Sequence, residues 1–404
     1  MSLTTDVCVV GAGMVGATAA VLLAKLDPAL TVIVVDRSLP DPYTNKENVD
    51  VRVSAVSRAS QRVLAACGAW EEVADFRHSP YEKMRVWDAA TSFDQGIEFD
   101  CAEIAEPDLG SIVENRVIQL ALIRQMRSLD NIDLVVPATV QGLSMADDYQ
   151  KVRLEDGRDI ACKLVVAADG AQSKVRDLAA IPVKGWSYEQ KGVVATVRTQ
   201  RPHENTAWQR FLPHGPIAFL PLSDGRSSIV WSCPEDLATS LMEMSESSFN
   251  QEVTQALDDV LGDVCCDSPR ASFPLSLMHA QHYVTEGLAL IGDAAHVVHP
   301  LAGQGANLGF LDAACLAEVV GNSLATRDYF FETRTLRKYE RWRKGENLLV
   351  MSLLDGLKRL FDAESLTTLR SRGLGWVAGV APVKNQLVRQ AMGLTGDLPA
   401  IARR

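Results

Sequence analysis

The chain has 404 residues, 47% hydrophobic and 23% charged, the make-up of an ordinary globular protein with room for two or three domains and an enclosed ligand. A formal net charge of −11 without a long basic run argues against nucleic acid as a partner and against general attraction to anionic lipid. Eight scattered cysteines without a CxxC pair, a short polar start, and no stretch of about 18 uninterrupted apolar residues point to a cytoplasmic protein with reduced thiols.

In chain order, the first element is an apolar run of strand length at residues 6–10, followed at once by Gly11-Ala12-Gly13-Met14-Val15-Gly16. A helical stretch over 17–26 and a second apolar run over 31–35 come next, ending on Asp36 with Arg37 beside it. In such a GxGxxG unit Gly11 makes the tight turn, Gly13 lets the backbone approach a pyrophosphate, and Gly16 lets helix and strand pack closely. The helix start offers free N–H groups and a positive dipole end. Asp36, twenty residues after Gly16, can accept hydrogen bonds from ribose hydroxyls, and it disfavours a 2′-phosphate at this site.

Residues 41–49 read as a polar loop, and a block carrying Arg52 follows. Asn115 and Arg116 open an apolar helix, where Asn115 serves either as a helix cap or as a cofactor contact. A second buried-strand run over 164–168 ends in Asp169-Gly170. Runs at 193–198, 207–212, 217–222 and 227–232 read as strands joined by turns, with Trp186, Tyr188, Trp208, Phe211, Phe219 and Trp231 supplying aromatic surface. His279 and His282 have a spacing that could place both on one helix face, but they lack further ligands for a metal. A third apolar run over 288–291 ends in Gly292-Asp293, and a glycine-rich turn from Pro300 through Gly303, Gln304, Gly305 and Asn307 leads into a helix. His296 and His299 flank that turn, either to tune a substrate proton or as packed histidines bonded to backbone. Residues 353–394 alternate Leu357, Leu360, Phe361, Leu374, Trp376 and Val377 with basic residues, a pattern of either a docked helix or an interfacial surface.

GxGxxG, Asp-Gly and Gly-Asp in this order resemble the single-component flavin aromatic hydroxylases, the p-hydroxybenzoate hydroxylase superfamily. The blocks at 50–60, 84–88, 112–119, 208–211, 218–222, 228–232, 299–305 and 390–394 resemble the ubiquinone-biosynthesis hydroxylases within it, nearly along the whole chain. The branch most similar is the bacterial one that hydroxylates a polyprenylphenol ortho to the phenol. The resemblance implies FAD as cofactor and NAD(P)H as a transient co-substrate. It places Asp169 near both, Asp293 on the ribityl or ribose hydroxyls, and Pro300 to Asn307 against the isoalloxazine ring. Arg52, Asn115 and Arg116 would approach FAD, with a surface or ion-paired arginine as the other reading of Arg52. The chemistry implied runs through a flavin C4a-hydroperoxide that an activated phenol ring attacks, so no protein catalytic residue and no metal is expected.

The expected fold is α/β: a Rossmann-like FAD-binding domain (1–75, 100–180 and 275–325) interleaved with an antiparallel-sheet substrate domain (76–99 and 181–274), then a helical C-terminal region (326–404). Expected partners are a lipophilic phenolic substrate and O2, with a ubiquinone-biosynthesis complex or homo-oligomer and peripheral contact with the inner membrane face as further expectations. A prenyl-chain reductase and a non-catalytic scaffold on the same fold are the competing readings. The WxWxIP motif of the related halogenases is absent.

Overall fold

Near-continuous apolar runs such as VCVV, VIVV and LVVA suit strands covered on both faces, and these segments form the parallel centre of the first sheet. In the computed structural model, residues 2–43, 49–146, 149–299, 303–362 and 380–403 are described. Ser2–Val10 lies between Val32–Val35 and Asp159–Ala167, parallel to both, and Ile132–Val135 and Leu288–Leu290 extend the sheet on either side. Val284–Thr285 closes one edge, and the hairpin Val140–Ala146 with Tyr149–Leu154 is added antiparallel to Asp159–Ala167. The helix Met14–Ala24 is apolar around most of its circumference and largely buried, between this sheet and the helix Gln304–Thr326. Gln304–Thr326 is long and apolar enough to cross a membrane, but 72% of its apolar stretch is buried within the fold, where it serves as a core helix.

The second sheet is antiparallel except at one pairing. Its order is His296–Val297, Ala271–Ala280, Val183–Thr199, Ser227–Pro234, Gly215–Pro221, Thr206–Leu212, Lys83–Asp88 and Ile97–Asp100, with Val264–Cys266 also on Val183–Thr199. Thr206–Leu212 and Lys83–Asp88 run parallel. The strands expected from the sequence are all present, with Val183–Thr199 starting ten residues earlier than the apolar run suggests. Its first half is held by backbone pairing to Ala271–Ala280 while its own residues stay mostly exposed, so hydropathy carried no signal there. Alternate residues Val193, Ala195 and Val197 face a core made with the helices Glu235–Glu243 and Glu246–Ala256. On the opposite face, Phe211 and Leu277 pack with Val298, Leu308, Met351 and Leu354.

The two domains interleave more finely than the expected boundaries. Ser79–Tyr81 belongs to a small sheet with Val53–Val56 and Gly110–Glu114, so the second sheet is entered only at Lys83. Ala271–Ala280 and His296–Val297 lie in the second sheet, although both fall wholly or partly inside the expected 275–325 segment. The chain crosses between sheets wherever a strand end can pair on either side, and residue order does not reveal that. The helices Thr333–Asp362 and Ala381–Ala391 form the described portion of the C-terminal region.

Candidate active site

The first functional feature is the glycine loop. Gly11 donates its N–H to Val35 O at 2.8 Å and sits at φ +105°, where a side chain would meet Ala168 O at 2.3 Å. A Cβ on Gly16 would meet Gly11 O at 2.0 Å, whereas one on Gly13 would meet nothing within 4 Å. Gly11 and Gly16 are therefore constrained by the protein, and Gly13 borders open space at the helix start. Gly13 caps Met14–Ala24 without a side-chain hydrogen bond, and no acidic residue lies in the first turn. Those N–H groups remain for an anion. Asp36 Oδ2 accepts from Ala12 N at 2.5 Å and Oδ1 from Ser38 N at 3.1 Å, holding the carboxylate against the loop; Arg37 is exposed beside it. Gln119, on the helix Asn115–Arg127, donates to Ala12 O at 2.9 Å and pins the loop from the other side. These features fit the pyrophosphate and ribose of a dinucleotide.

The Gly-Asp turn supplies the second feature. Asp293 projects from Gly292–Ala294 and is solvent-accessible, yet protein surrounds it closely enough to raise its carboxyl pKa, with His296 and Arg52 opposing the shift. Arg52 thus faces Asp293 electrostatically, and its guanidinium lies 4.9 Å from the ring centroid of Phe273 on the second sheet. Beneath the turn lies a network that sequence reasoning missed. Asp312 has no exposed surface; its Oδ2 accepts from Gly292 N at 3.0 Å and from His296 Nε2 at 2.5 Å. Its Oδ1 accepts from Arg343 Nε at 2.8 Å and Asn347 Nδ2 at 3.1 Å. Burial alone would raise the Asp312 pKa, but His296 and Arg343 outweigh it and hold it down to about 2. The signal available was an aspartate inside the apolar run LGFLDAACL, which has to find a buried partner.

The third feature is the N-terminus of Gln304–Thr326, at the end of the segment expected to face the flavin. Gly303, at φ +61°, is its cap and makes no side-chain cap bond; a Cβ there would come within 3.1 Å of Ala55 Cβ. Gly305 lies in ordinary contact range of Val298, and Gln304 reaches toward Ala391 O at 3.5 Å. Asn307 is buried with its amide turned inward. It accepts from Ser57 N (2.9 Å) and Ser60 Oγ (2.7 Å) and donates to Ala55 O (2.8 Å) and Gly303 O (3.1 Å), so it locks the 55–60 segment to the turn. Pro300, Leu301 and Ala302 lie outside the described residues, as do Leu374, Trp376, Val377 and the side chains of Leu357 and Phe361.

Several expected contacts are engaged within the protein. Asp169 accepts from Ser173 Oγ at 2.5 Å and Val175 N at 3.1 Å, organising the start of the short helix Lys174–Leu178. Asn115 does not cap its helix; its Oδ1 accepts from Ser54 Oγ at 2.7 Å and its N–H bonds Arg52 O, positioning the Arg52 block. Arg116 donates to Asp41 O at 2.8 Å and to Pro42 O, and stacks 4.6 Å over Tyr43, bracing the loop after Asp36. His279 lies in a strand, not on a helix with His282, because backbone pairing to Val183–Thr199 continues through it. Its ring packs against Tyr283.

Of the expected aromatic residues, Phe219, Trp231 and Trp208 pack in the core behind the second sheet. Phe211 faces forward, in an apolar seam with Leu277, Val298, Leu308, Met351 and Leu354 that joins sheet, turn and the long helix Thr333–Asp362. Tyr188 borders the seam, its ring 5.1 Å from that of His299 and its hydroxyl donating to Asp355 Oδ1 at 3.1 Å. Trp186 is 46% exposed. Burial, reinforced by Lys358, pushes the His299 pKa down to about 4.

A dinucleotide cradle and a Gly-Asp turn beside an antiparallel sheet are the arrangement of an FAD-binding protein of the monooxygenase fold. The family model described as FAD binding domain matches residues 4–329. The chain is 37% identical over 394 residues to the Escherichia coli 3-demethoxyubiquinol 3-hydroxylase, covering 96% of this chain and 99% of that one. It is 36% identical to a ubiquinone hydroxylase of Rhodospirillum rubrum, covering 96% and 89% respectively. The p-nitrophenol 4-monooxygenase structure from Pseudomonas putida superposes with a TM-score of 0.76 at 18% identity, covering 96% of this chain and 98% of that one, a likeness of fold. The chain belongs to the ubiquinone-biosynthesis hydroxylase family of FAD-dependent monooxygenases.

Proposed function

We propose that this protein hydroxylates the aromatic ring of a polyprenylated phenol, consuming NAD(P)H and O2. The observation that carries the reading is the apolar seam of Phe211, Leu277, Val298, Leu308, Met351 and Leu354, set against the turn that enters Gln304–Thr326. A ring and the first prenyl units bound against it would meet apolar side chains beside the segment expected to face the flavin. When bound, FAD supplies the oxygen activation. The chain's own tasks are then to hold and orient. The N-terminus of Met14–Ala24 and Asp36 take the pyrophosphate and ribose, and Arg52 with Asp293 takes the middle of the cofactor. The seam excludes water, and a neutral His299 keeps a charge away from it.

Each buried CH2 of a prenyl tail is worth about 0.8 kcal/mol, so the substrate has to arrive from a membrane surface or a partner protein. Leu349 and Leu353, one turn apart on Thr333–Asp362, are 49% and 47% exposed and favour peripheral contact of that helix with lipid or with a biosynthetic complex.

The test follows NAD(P)H and oxygen consumption by the flavin-loaded enzyme with a short-chain 2-prenylphenol under labelled O2. The expected result is a product with one new hydroxyl carrying one labelled oxygen atom, whose ring position is then read directly. Saturation of the prenyl chain without oxygen uptake would replace this reading with the reductase. Tight flavin binding with no turnover of any phenol would replace it with the scaffold.

A further inference from the structure

The strand Val183–Thr199 is irregular where it passes the seam. Its register against Ala271–Ala280 shifts between Ser187 and Gln190, with Glu189 at φ +54°. Past the irregularity Gln190 pairs with Leu275 on one side and Pro234 on the other. Directly paired residues share a face, and alternate residues along a strand do too. Gln190 therefore shares the face of Leu275 and Leu277, and Leu277 packs in the seam with Val298 and Leu308. Val193 and Ala195, of opposite parity, point to the core on the other side.

Gln190 is 8% exposed. Its Nε2 donates to His214 O at 3.3 Å, whereas its Oε1 is buried without a hydrogen-bond partner among the described residues. An unsatisfied amide oxygen in apolar surroundings is costly, and a donor that arrives with a ligand would remove that cost. The neighbouring Tyr188 hydroxyl is already donated to Asp355. Two other unpartnered oxygens on this face, the hydroxyls of Thr196 and Ser228, are cross-strand neighbours of each other six residues further along.

We propose that Gln190 is a substrate-positioning residue whose side-chain oxygen accepts a hydrogen bond from a ring hydroxyl of the substrate and so sets which ring carbon faces the flavin. The proposal rests on the reading of the substrate as a phenol. A hydroxylated ring entering the seam satisfies the amide oxygen; a ring without the hydroxyl leaves it bare. Gln190 would then discriminate phenols from plain arenes of the same shape.

The experiment uses the flavin-loaded enzyme and two probes, 2-prenylphenol and prenylbenzene, which lacks the hydroxyl. Dissociation constants are read from flavin absorbance changes for the wild type and for Gln190→Met, with Gln190→Leu as a second variant should the first lose flavin. The wild type is expected to favour the phenol by about tenfold, and the variants to bring that ratio near one. Product formed per NAD(P)H should fall as well, with hydrogen peroxide rising. A merely structural role would weaken both probes equally and leave the ratio unchanged, which overturns the proposal, as does a wild type without preference. Because the ratio is a binding measurement, it is read whether or not the wild type turns the phenol over, so failure of the hydroxylase reading and failure of this one are separate results.

Discussion

The three glycines of the first loop act by different physics, and substitution separates them. Gly13→Val projects into open space, so the flavin-free protein should keep its melting temperature while FAD affinity falls at least about tenfold, read by flavin titration. Gly16→Ala drives a methyl into Gly11 O and should instead lower the melting temperature before any cofactor is added. Asp312→Asn removes the anion from a buried pair and leaves Arg343 without its countercharge, at a cost of about 3 kcal/mol in chemical denaturation. The pH dependence has a definite sign. The Asp312 pKa is depressed in the folded state, so its contribution is complete above the ordinary carboxylate value near 4 and is lost as pH falls toward about 2. The His299 pKa is depressed as well, to about 4, so its contribution is complete above about 6.5 and declines from there down to about 4. His299→Phe should flatten that upper window in acid-unfolding curves, and Asp312→Asn the lower one.

At the level of elements, the start of Gln304–Thr326 depends on Asn307. Its amide uses both functions to tie the helix start to the 55–60 segment, and the helix Arg58–Cys67 begins within that segment. Asn307→Leu removes four hydrogen bonds at once and should cost roughly 3 kcal/mol, with flavin lost on dilution because Gly303 and the 55–60 segment are no longer tied together. Calorimetry and flavin retention check the two effects separately. Further along the same helix, Asp312 has the matching role, fastening it to the Gly-Asp turn and to Thr333–Asp362. One helix therefore anchors both the 55–60 segment and the Gly-Asp turn.

For the whole molecule, one side chain links the two sheets. Arg52 bridges them, facing Asp293 on one side and the Phe273 ring on the other. Arg52→Ala should raise the FAD dissociation constant by about tenfold with little change in melting temperature, because the side chain is exposed and its partners are not buried around it. The glycine loop, the Gly-Asp turn, the parallel strands Ser2–Val10, Val32–Val35, Asp159–Ala167 and Leu288–Leu290, and the strands between 206 and 234 were legible in the sequence because each depends on local backbone geometry or on a short hydrophobic period. Val183–Thr199 was legible only in its second half, where alternation is backed by a packed face. Asn115, Arg116 and Asn307 were marked in the sequence only as expected cofactor neighbours; their bracing bonds were not legible, since Ser54, Asp41 and Ser57 are joined to them only in space.

The sequence by itself determined the class of cofactor, the order of its motifs and the family, because phosphate cradles and strand-end acids need particular residues at short, fixed spacings. Only the tertiary structure decided that Asp312, His296, Arg343 and Asn347 form one buried network, that the strand 271–280 crosses to the second sheet, and that Gln190 keeps a bare oxygen beside the seam. Those outcomes depend on which distant segments share a low-dielectric interior, where an unpaired polar atom is costly and a paired one fixes the geometry around it.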